Sequence, residues 1–450
     1  MRSFNSDTLY GRIRLRELNG VNGKRKFITE TVKDVSEVGS VALEHHGEET
    51  PPLALSFCKT NRNADVFALA KEDGRVSLFD TKQNLKFSGD TRKWKLTEWV
   101  AHENAIFDLS WIKNDVNLLT ASGDQTIKFW DVENKKCCSV LESHTGSVKS
   151  LSVHPTNFDI LLSGSRDGSF ALWDLRCSTN TNEPKISPIT IVPKAHASPR
   201  VKRGRRVKAT SMSITSVLYL KDEITLATAG ATDSTVKLWD SRYLKSHVTQ
   251  ACPYVAPSMA SGQILHGVSS LSQDANGVFL TAACRDSRIY LYQTLNVDRG
   301  PIQSFAGCQI DSFYVKAVIS ADADHLLSGS SDGNSYIWMV HHPEIPPVTV
   351  EGHDREVTAV DWSLHDAGKF ATCSDDLTVS VWKMESVWCI KKRAREEELN
   401  VGSFGTPECK EKRMFKWEDC CDDAESPSSV LNPPSSLKRK TILDYYQHSF

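Results

Sequence analysis

No apolar run in this 450-residue chain approaches the roughly 18 residues that a membrane-crossing helix needs. The first residues also lack the apolar stretch of a secretory signal, so neither a span nor a leader is expected. The 12 cysteines, Cys58, Cys137, Cys138, Cys284 and Cys373 among them, contain no C-x-x-C pair. That spacing argues against a zinc site and a disulfide framework, and reduced thiols are expected. With 54 basic and 56 acidic residues the net charge is −2, so bulk charge draws the chain to neither nucleic acid nor membrane. What remains is a composition 40% hydrophobic and 24% charged, able to bury a substantial core.

What the chain does have is a repeated stretch. In Ser165-Arg-Asp-Gly-Ser-Phe-Ala-Leu-Trp-Asp-Leu-Arg176 a tight turn leads into an alternating strand, and Asp167 precedes Trp173 by six residues. The same spacing joins Asp124 to Trp130, Asp233 to Trp239, Asp332 to Trp338 and Asp376 to Trp382. With another aromatic allowed, it also joins Asp73 to Phe79 and Asp286 to Tyr292. Successive copies lie 51, 43, 66, 53, 46 and 44 residues apart. Periods of about 40–45 residues mark four-stranded propeller blades, and seven of them close a ring without exposed sheet edges. The expectation is an all-β, seven-bladed β-propeller.

A histidine recurs upstream of the turn aspartate. His102, His144 and His353 lie 22 or 23 residues before Asp124, Asp167 and Asp376, His266 lies 20 before Asp286, and His196 lies 37 before Asp233. The pattern fits a buried relay in each blade, in which His, a strand Ser or Thr, the Asp and the Trp indole satisfy one another. A catalytic or metal reading fails, because one such set per blade leaves the sets too far apart to cooperate. No catalytic residue, metal or cofactor is expected.

Residues 1–44 form an N-terminal segment available to supply a strand to the last blade, with Phe27-Ile28-Thr29 and Val41-Ala42-Leu43 as alternatives. The propeller is assigned to residues 45–392, with residues 177–213 as a basic insertion between blades. That insertion holds Arg200, Lys202, Arg203, Arg205, Arg206 and Lys208 within nine residues, which no core accepts, so a solvated loop is expected. A nuclear localisation signal, a phosphate-contacting patch and a plain solvated loop all fit the run. It has no interleaved aromatics, so direct nucleic-acid binding is not expected. Residues 393–450 are rich in Glu, Ser and Pro and are expected to be a disordered tail.

Two copies of the repeat carry an arginine two places after Trp-Asp, as Asp174-Leu-Arg176 and Asp240-Ser-Arg242, whereas Trp130-Asp131-Val-Glu133 does not. On an extended segment, positions i and i+2 face the same side, so each box presents a guanidinium fork at the strand end. Two forks on neighbouring blades suit carboxylates and carbonyls of a partner, the local alternative being a pair between each Arg and its own Asp.

The repeat is the signature of the WD40 family, which it resembles over about residues 45–390. The double D-x-R box resembles that of the WD40 substrate receptors of cullin 4 RING ubiquitin ligases. Phe107-Asp-Leu-Ser-Trp111, Gly123–Asp131, Ser312-Phe-Tyr-Val-Lys316, Ser328–Asp332 and Ala371–Asp376 are similar to the denticleless family within that group. The resemblance implies that Asp174, Arg176, Asp240 and Arg242 contact the adaptor, damage-specific DNA-binding protein 1. It further implies recruitment of chromatin proteins bound to the sliding clamp PCNA, such as the replication licensing factor, for ubiquitination in S phase or after DNA damage. Nuclear localisation and a non-catalytic role follow from the same resemblance. Ile442, Tyr445 and Tyr446 have the spacing of a clamp-interaction box, although its leading Gln would fall at Arg439. A general WD40 interaction scaffold in a nuclear complex, not linked to a ligase, is the alternative.

Overall fold

The structure is a computed structural model describing residues 34–45, 48–82, 94–177, 185–196, 213–252, 266–366 and 368–385. Among them the strands form seven antiparallel meanders, one per blade. Blade 1 is Pro52–Phe57, Val66–Lys71, Arg75–Asp80 and Lys95–Val100; blade 2 is Ile106–Ile112, Asn117–Ser122, Thr126–Asp131 and Lys136–Glu142. Blade 3 is Val148–Val153, Ile160–Ser165, Phe170–Asp174 and Thr190–Val192; blade 4 is Ile214–Tyr219, Thr225–Gly230, Val236–Asp240 and Thr249–Ala251. Blade 5 is Val268–Gln273, Phe279–Cys284, Arg288–Gln293 and Gln303–Ala306; blade 6 is Ala317–Ile319, His325–Ser328, Asn334–Met339 and Val348–Glu351. Blade 7 is Val357–Trp362, Lys369–Ser374 and Thr378–Glu385, and its fourth strand comes from the other end of the propeller, Asp34–Ala42. That strand contains Val41 and Ala42, which decides between the two N-terminal alternatives; Phe27-Ile28-Thr29 lies outside the described residues.

Residues 177–213 are not simply a solvated excursion. Thr190–Val192 is the fourth strand of blade 3, pairing through Phe170↔Val192, Ala171↔Ile191 and Leu172↔Thr190. Lys185–Ile186 adds a short parallel strand to the edge of blade 2. A meander with three strands would leave Phe170–Asp174 as an open edge, and the chain closes that edge before it departs. The cationic positions Lys202, Arg203, Arg205, Arg206 and Lys208 lie outside the described residues, as does the segment carrying Ile442, Tyr445 and Tyr446.

Strand side chains alternate between two faces, and a blade inside a ring is covered on both. Ile160–Ser165 and Phe170–Asp174 accordingly have every residue buried. The apolar core is divided into seven clusters, each between two successive blades. Leu141 and Ile127 of blade 2, for example, meet Leu161 and Trp173 of blade 3. Val41 and Phe67 share a cluster with Ala371 and Val381, joining blade 7 to blade 1.

The innermost strand of every blade is an edge, and its outward backbone groups need partners. Side chains of the neighbouring blade supply them. Asp108 Oδ2 accepts from Leu151 N–H at 2.7 Å, Ser150 Oγ from Val217 N–H at 3.1 Å and Ser216 Oγ from Leu271 N–H at 3.1 Å. Ser270 Oγ accepts from Ala317 N–H at 3.0 Å, and Asp361 Oδ2 from Phe57 N–H at 2.8 Å. At the two remaining junctions an indole donates instead: Trp111 Nε1 to Ser56 O at 3.0 Å, and Trp362 Nε1 to Val318 O at 3.2 Å. At least one such stitch therefore crosses each of the seven junctions. Ser270→Ala strands the Ala317 N–H in a buried site and is expected to lower unfolding stability by about 1–2 kcal/mol, read from the urea midpoint. An unchanged midpoint would show that the stitch carries no stability.

Candidate functional site

Four blades contain a complete polar relay. In blade 2, His102 Nδ1 meets Asp124 Oδ2 at 2.7 Å and its Nε2 meets Thr120 Oγ1 at 2.8 Å, while Trp130 Nε1 donates to the same hydroxyl at 3.1 Å. Blade 3 joins His144 to Asp167 at 3.3 Å and to Ser163 at 2.8 Å, with Trp173 Nε1 donating to Ser163 Oγ at 2.8 Å. Blade 4 repeats this with His196, Asp233, Thr228 and Trp239, despite the 37-residue gap between its His and Asp. Blade 7 does so with His353, Asp376, Thr372 and Trp382. The strand hydroxyl is the hub, since the imidazole and the indole meet only through it.

The other three blades use different polar sets, which the repeat pattern did not reveal. In blades 5 and 6 a tyrosine on the third strand replaces the distant histidine: Tyr290 donates its hydroxyl to Asp286 at 2.5 Å and Tyr336 donates to Asp332 at 2.6 Å. Trp338 turns its indole to Ala306 O instead of a hub hydroxyl. In blade 1 a buried Lys71 donates to Glu98 at 2.9 Å, and Ser77, four residues after Asp73, donates to the same carboxylate at 2.7 Å. The expected relays of blades 2, 3, 4 and 7 form, and the general expectation of a polar set inside each blade is corrected in its donors for blades 1, 5 and 6. A phenol four residues along the same hairpin reaches the aspartate without help from the preceding loop.

The carboxyl groups of the relays sit low. Burial would raise Asp124, but hydrogen bonds from His102 and Thr126 overcome it and hold the group at about 2. Asp167, Asp233 and Asp376 are lowered by the same balance. Burial lowers His102 and His353 against the pull of their aspartates. A carboxyl lowered by folding stabilises above its unfolded pKa of about 4, and the contribution is lost as pH falls through the folded value. An imidazole lowered by folding stabilises above its unfolded pKa of about 6.5 and likewise loses its contribution as pH falls. Asp361, which burial pushes up to about 6, runs the other way between about pH 4 and 6. Asp124→Asn removes one lowered carboxyl only, so its urea-midpoint profile should be flatter than wild type below about pH 4. Thr372→Val, which removes a hub, is expected to cost about 2–4 kcal/mol at neutral pH, because two buried nitrogens lose their partner.

On the opposite rim, the third strands of blades 3 and 4 end at Asp174 and Asp240. The chain leaves both strands in a turn, with Arg176 N–H donating to Asp174 Oδ1 at 3.0 Å and Arg242 N–H to Asp240 Oδ1 at 2.9 Å. The same turn forms at Asp131, where Asn134 takes the place of the arginine. This turn, and not the alternation of an extended segment, folds each guanidinium back onto its aspartate. Arg176 Nε and Nη2 bond Asp174 at 2.8 and 2.6 Å, and those of Arg242 bond Asp240 at 3.0 and 2.7 Å. A guanidinium has five N–H donors, so each fork keeps its Nη1 donors for other acceptors. Arg242 is 70% exposed and Arg176 29%, while Asp174 is buried. The structure brings each Asp–Arg box together at equivalent places on neighbouring blades.

The loops on that rim, joining first to second and third to fourth strands, expose large apolar side chains: Val116, Phe158, Ile224, Tyr243, Val278 and Leu295. Among the described residues Tyr314 is the one large exposed apolar side chain in the loops of the other rim. The exposed apolar side chains of the described loops thus gather on the rim that carries the Asp–Arg boxes.

The seven meanders and their relays make this chain a WD40 propeller. The model of the WD domain, G-beta repeat, matches residues 93–131, 135–174, 202–240 and 345–383, which end at the four blades with complete relays. The chain is a denticleless-like WD40 protein. It is 33% identical over 422 residues to the denticleless protein homolog of Gallus gallus, covering 86% of this chain and 57% of the relative. It is 36% identical over 355 residues to denticleless protein homolog A of Xenopus laevis, covering 75% and 49%. The Homo sapiens denticleless protein homolog is 33% identical over 410 residues, covering 87% and 54%. The chain thus spans about half the length of the curated relatives it matches.

Proposed function

We propose that this chain is the substrate-recognition subunit of a cullin 4 RING ubiquitin ligase. The adaptor, damage-specific DNA-binding protein 1, docks on the rim that carries Arg176 and Arg242, and protein substrates dock on the opposite face. The substrates are chromatin proteins associated with PCNA, the replication licensing factor among them. The chain contributes binding and orientation while the ligase performs the chemistry, so its effect is one of proximity. The likeness to denticleless proteins supports the class. The observation that carries the reading to residues is the pair of equivalent guanidinium forks on adjacent blades, set in a rim of exposed apolar loops. Arginine and exposed aromatic residues such as Tyr243 are the usual anchors of such surfaces.

The protein acts in the nucleus on this reading, with the basic run around Lys202–Lys208 as its import signal. The segment holding Ile442, Tyr445 and Tyr446 supplies a second, weaker hold on the clamp. Because each arginine is already paired with its own aspartate, the competing reading is a propeller scaffold whose forks only lock their turns.

Capture of partners from cells separates the two. Arg176→Ala combined with Arg242→Ala should abolish co-purification of adaptor and cullin while the melting temperature stays within a few degrees of wild type. Adaptor capture by the folded double variant at wild-type level, or none by wild type, would assign the forks to local structure and favour the scaffold.

A further inference from the structure

The two Asp–Arg boxes match in sequence but not in surroundings. Asp240 is partly exposed and Arg242 open to solvent, whereas Asp174 is buried and Arg176 partly covered. The chain also returns from each box to its fourth strand by a different segment. In blade 4, Val248 N–H donates to Leu238 O at 2.7 Å, and His247, the residue before it, lies edge-on to Trp239 with ring centroids 5.7 Å apart. In blade 3 the matching bond runs from Ile189 N–H to Leu172 O at 2.8 Å, so Pro188 takes the place of His247, at the Trp173 end of the strand. The pairing Leu172↔Thr190 is antiparallel, so the residues before Thr190 run toward Asp174 and its rim. Ser187 and Arg176 each directly follow a member of one apolar cluster, Ile186 and Leu175.

Ser187 is exposed and is followed by Pro188. A residue before proline is held extended, and proline offers no N–H, the two features by which proline-directed kinases select Ser-Pro. Only the short strands Lys185–Ile186 and Thr190–Val192 pin this segment, so opening it to a kinase breaks few backbone bonds. The surroundings suit an added dianion. Lys185, two residues earlier on the same extended stretch, faces the same side. Glu142 pairs with Lys185 at 2.9 Å, Asp174 pairs with Arg176 at 2.6 Å, and Asp159, which also acts on Arg176, pairs with Lys113 at 3.2 Å. Each of these carboxylates thus already has a cation, while Arg176 keeps its Nη1 donors.

We propose that Ser187 is a phosphorylation site of a proline-directed kinase and that its phosphate binds the Arg176 fork. In the transfer, Ser187 Oγ bonds to the γ-phosphorus of ATP as the bond to the ADP oxygen breaks, and the hydroxyl proton passes to the base of the kinase. The product carries a charge of about −1.5 to −2 and three acceptor oxygens, which engage the donors that Asp174 leaves free. Arg176 is then held between two anions and withdrawn from any other acceptor, so the modification weakens adaptor docking. In blade 4 the matching residues are Ser246-His247, so the switch acts on one box of the two. The phosphate and its pairing are independent of the ligase reading; only the effect on the adaptor rests on it.

The full-length protein treated with a cyclin-dependent kinase and ATP provides the test. Peptide mass mapping should place a phosphate on Ser187, and Ser187→Ala should lose that one modification. In phosphorus NMR, the resonance missing from treated Ser187→Ala should titrate below the value of about 6 usual for phosphoserine, because a guanidinium favours the dianion. Arg176→Gln should bring it back toward that value. Adaptor affinity should fall about tenfold on treatment of wild type and stay unchanged on treatment of Ser187→Ala. The idea fails if Ser187 gains no phosphate, if its titration is the same with and without Arg176, or if phosphorylated and unmodified protein bind the adaptor equally. Absence of adaptor binding by unmodified wild type would remove the ligase reading, and the mass mapping and phosphorus titration would still decide the pairing.

Discussion

The inner edge of each blade is the constraint on which this structure depends. A four-stranded meander satisfies its own interior, but its first strand faces the axis with backbone groups that no fifth strand can reach. Seven such edges converge on one channel. The protein meets the demand by lending each edge a side chain from an adjacent blade, a serine or aspartate of the preceding blade at five junctions and an indole of the following blade at two. The apolar clusters between blades supply bulk adhesion, and the stitches set the rotation of one blade against the next. Geometry fixed in this way keeps Arg176 and Arg242 at equivalent stations on one rim while Phe107 of blade 2 and Tyr314, in the loop entering blade 6, stack across the axis.

The repeat was legible because the residues that form it have rigid jobs. The turn aspartate caps the hairpin between second and third strands, and an aromatic residue, Trp in five blades and Phe79 or Tyr292 in the other two, closes the third, so their six-residue spacing survives in every blade. The fourth strands were not legible. Thr190–Val192 and Thr249–Ala251 are three residues long, and Lys95–Val100 buries only part of itself, so none carries a strong alternation. The relays were readable where a histidine marks them. Where Tyr290 or Tyr336 takes over, the donor sits on a strand among other aromatics and resembles a packing residue. The sequence also placed the Asp–Arg boxes correctly on neighbouring blades, but for an extended segment; the bend that pairs them depends on backbone N–H bonds to the aspartate. The aromatic stack was beyond reach, because its partners are separated by four blades in the chain and become neighbours only when the ring closes.

The two rims differ in kind. One carries scattered apolar loops around two charged forks. The other has, among its described loops, one large exposed ring, Tyr314, stacked on Phe107 across the axis. A propeller keeps the two rims apart by the height of its strands.

The fourth strand of blade 7 has a consequence for the history of each molecule. Asp34–Ala42 leaves the ribosome before the other strands of the propeller, and its partner Thr378–Glu385 emerges some 340 residues later. Until then both edges stand open, and six blades wait as an arc. Two nascent chains held close together, as on one polysome, could each insert the early strand into the other's last blade, giving an interlocked pair instead of two rings.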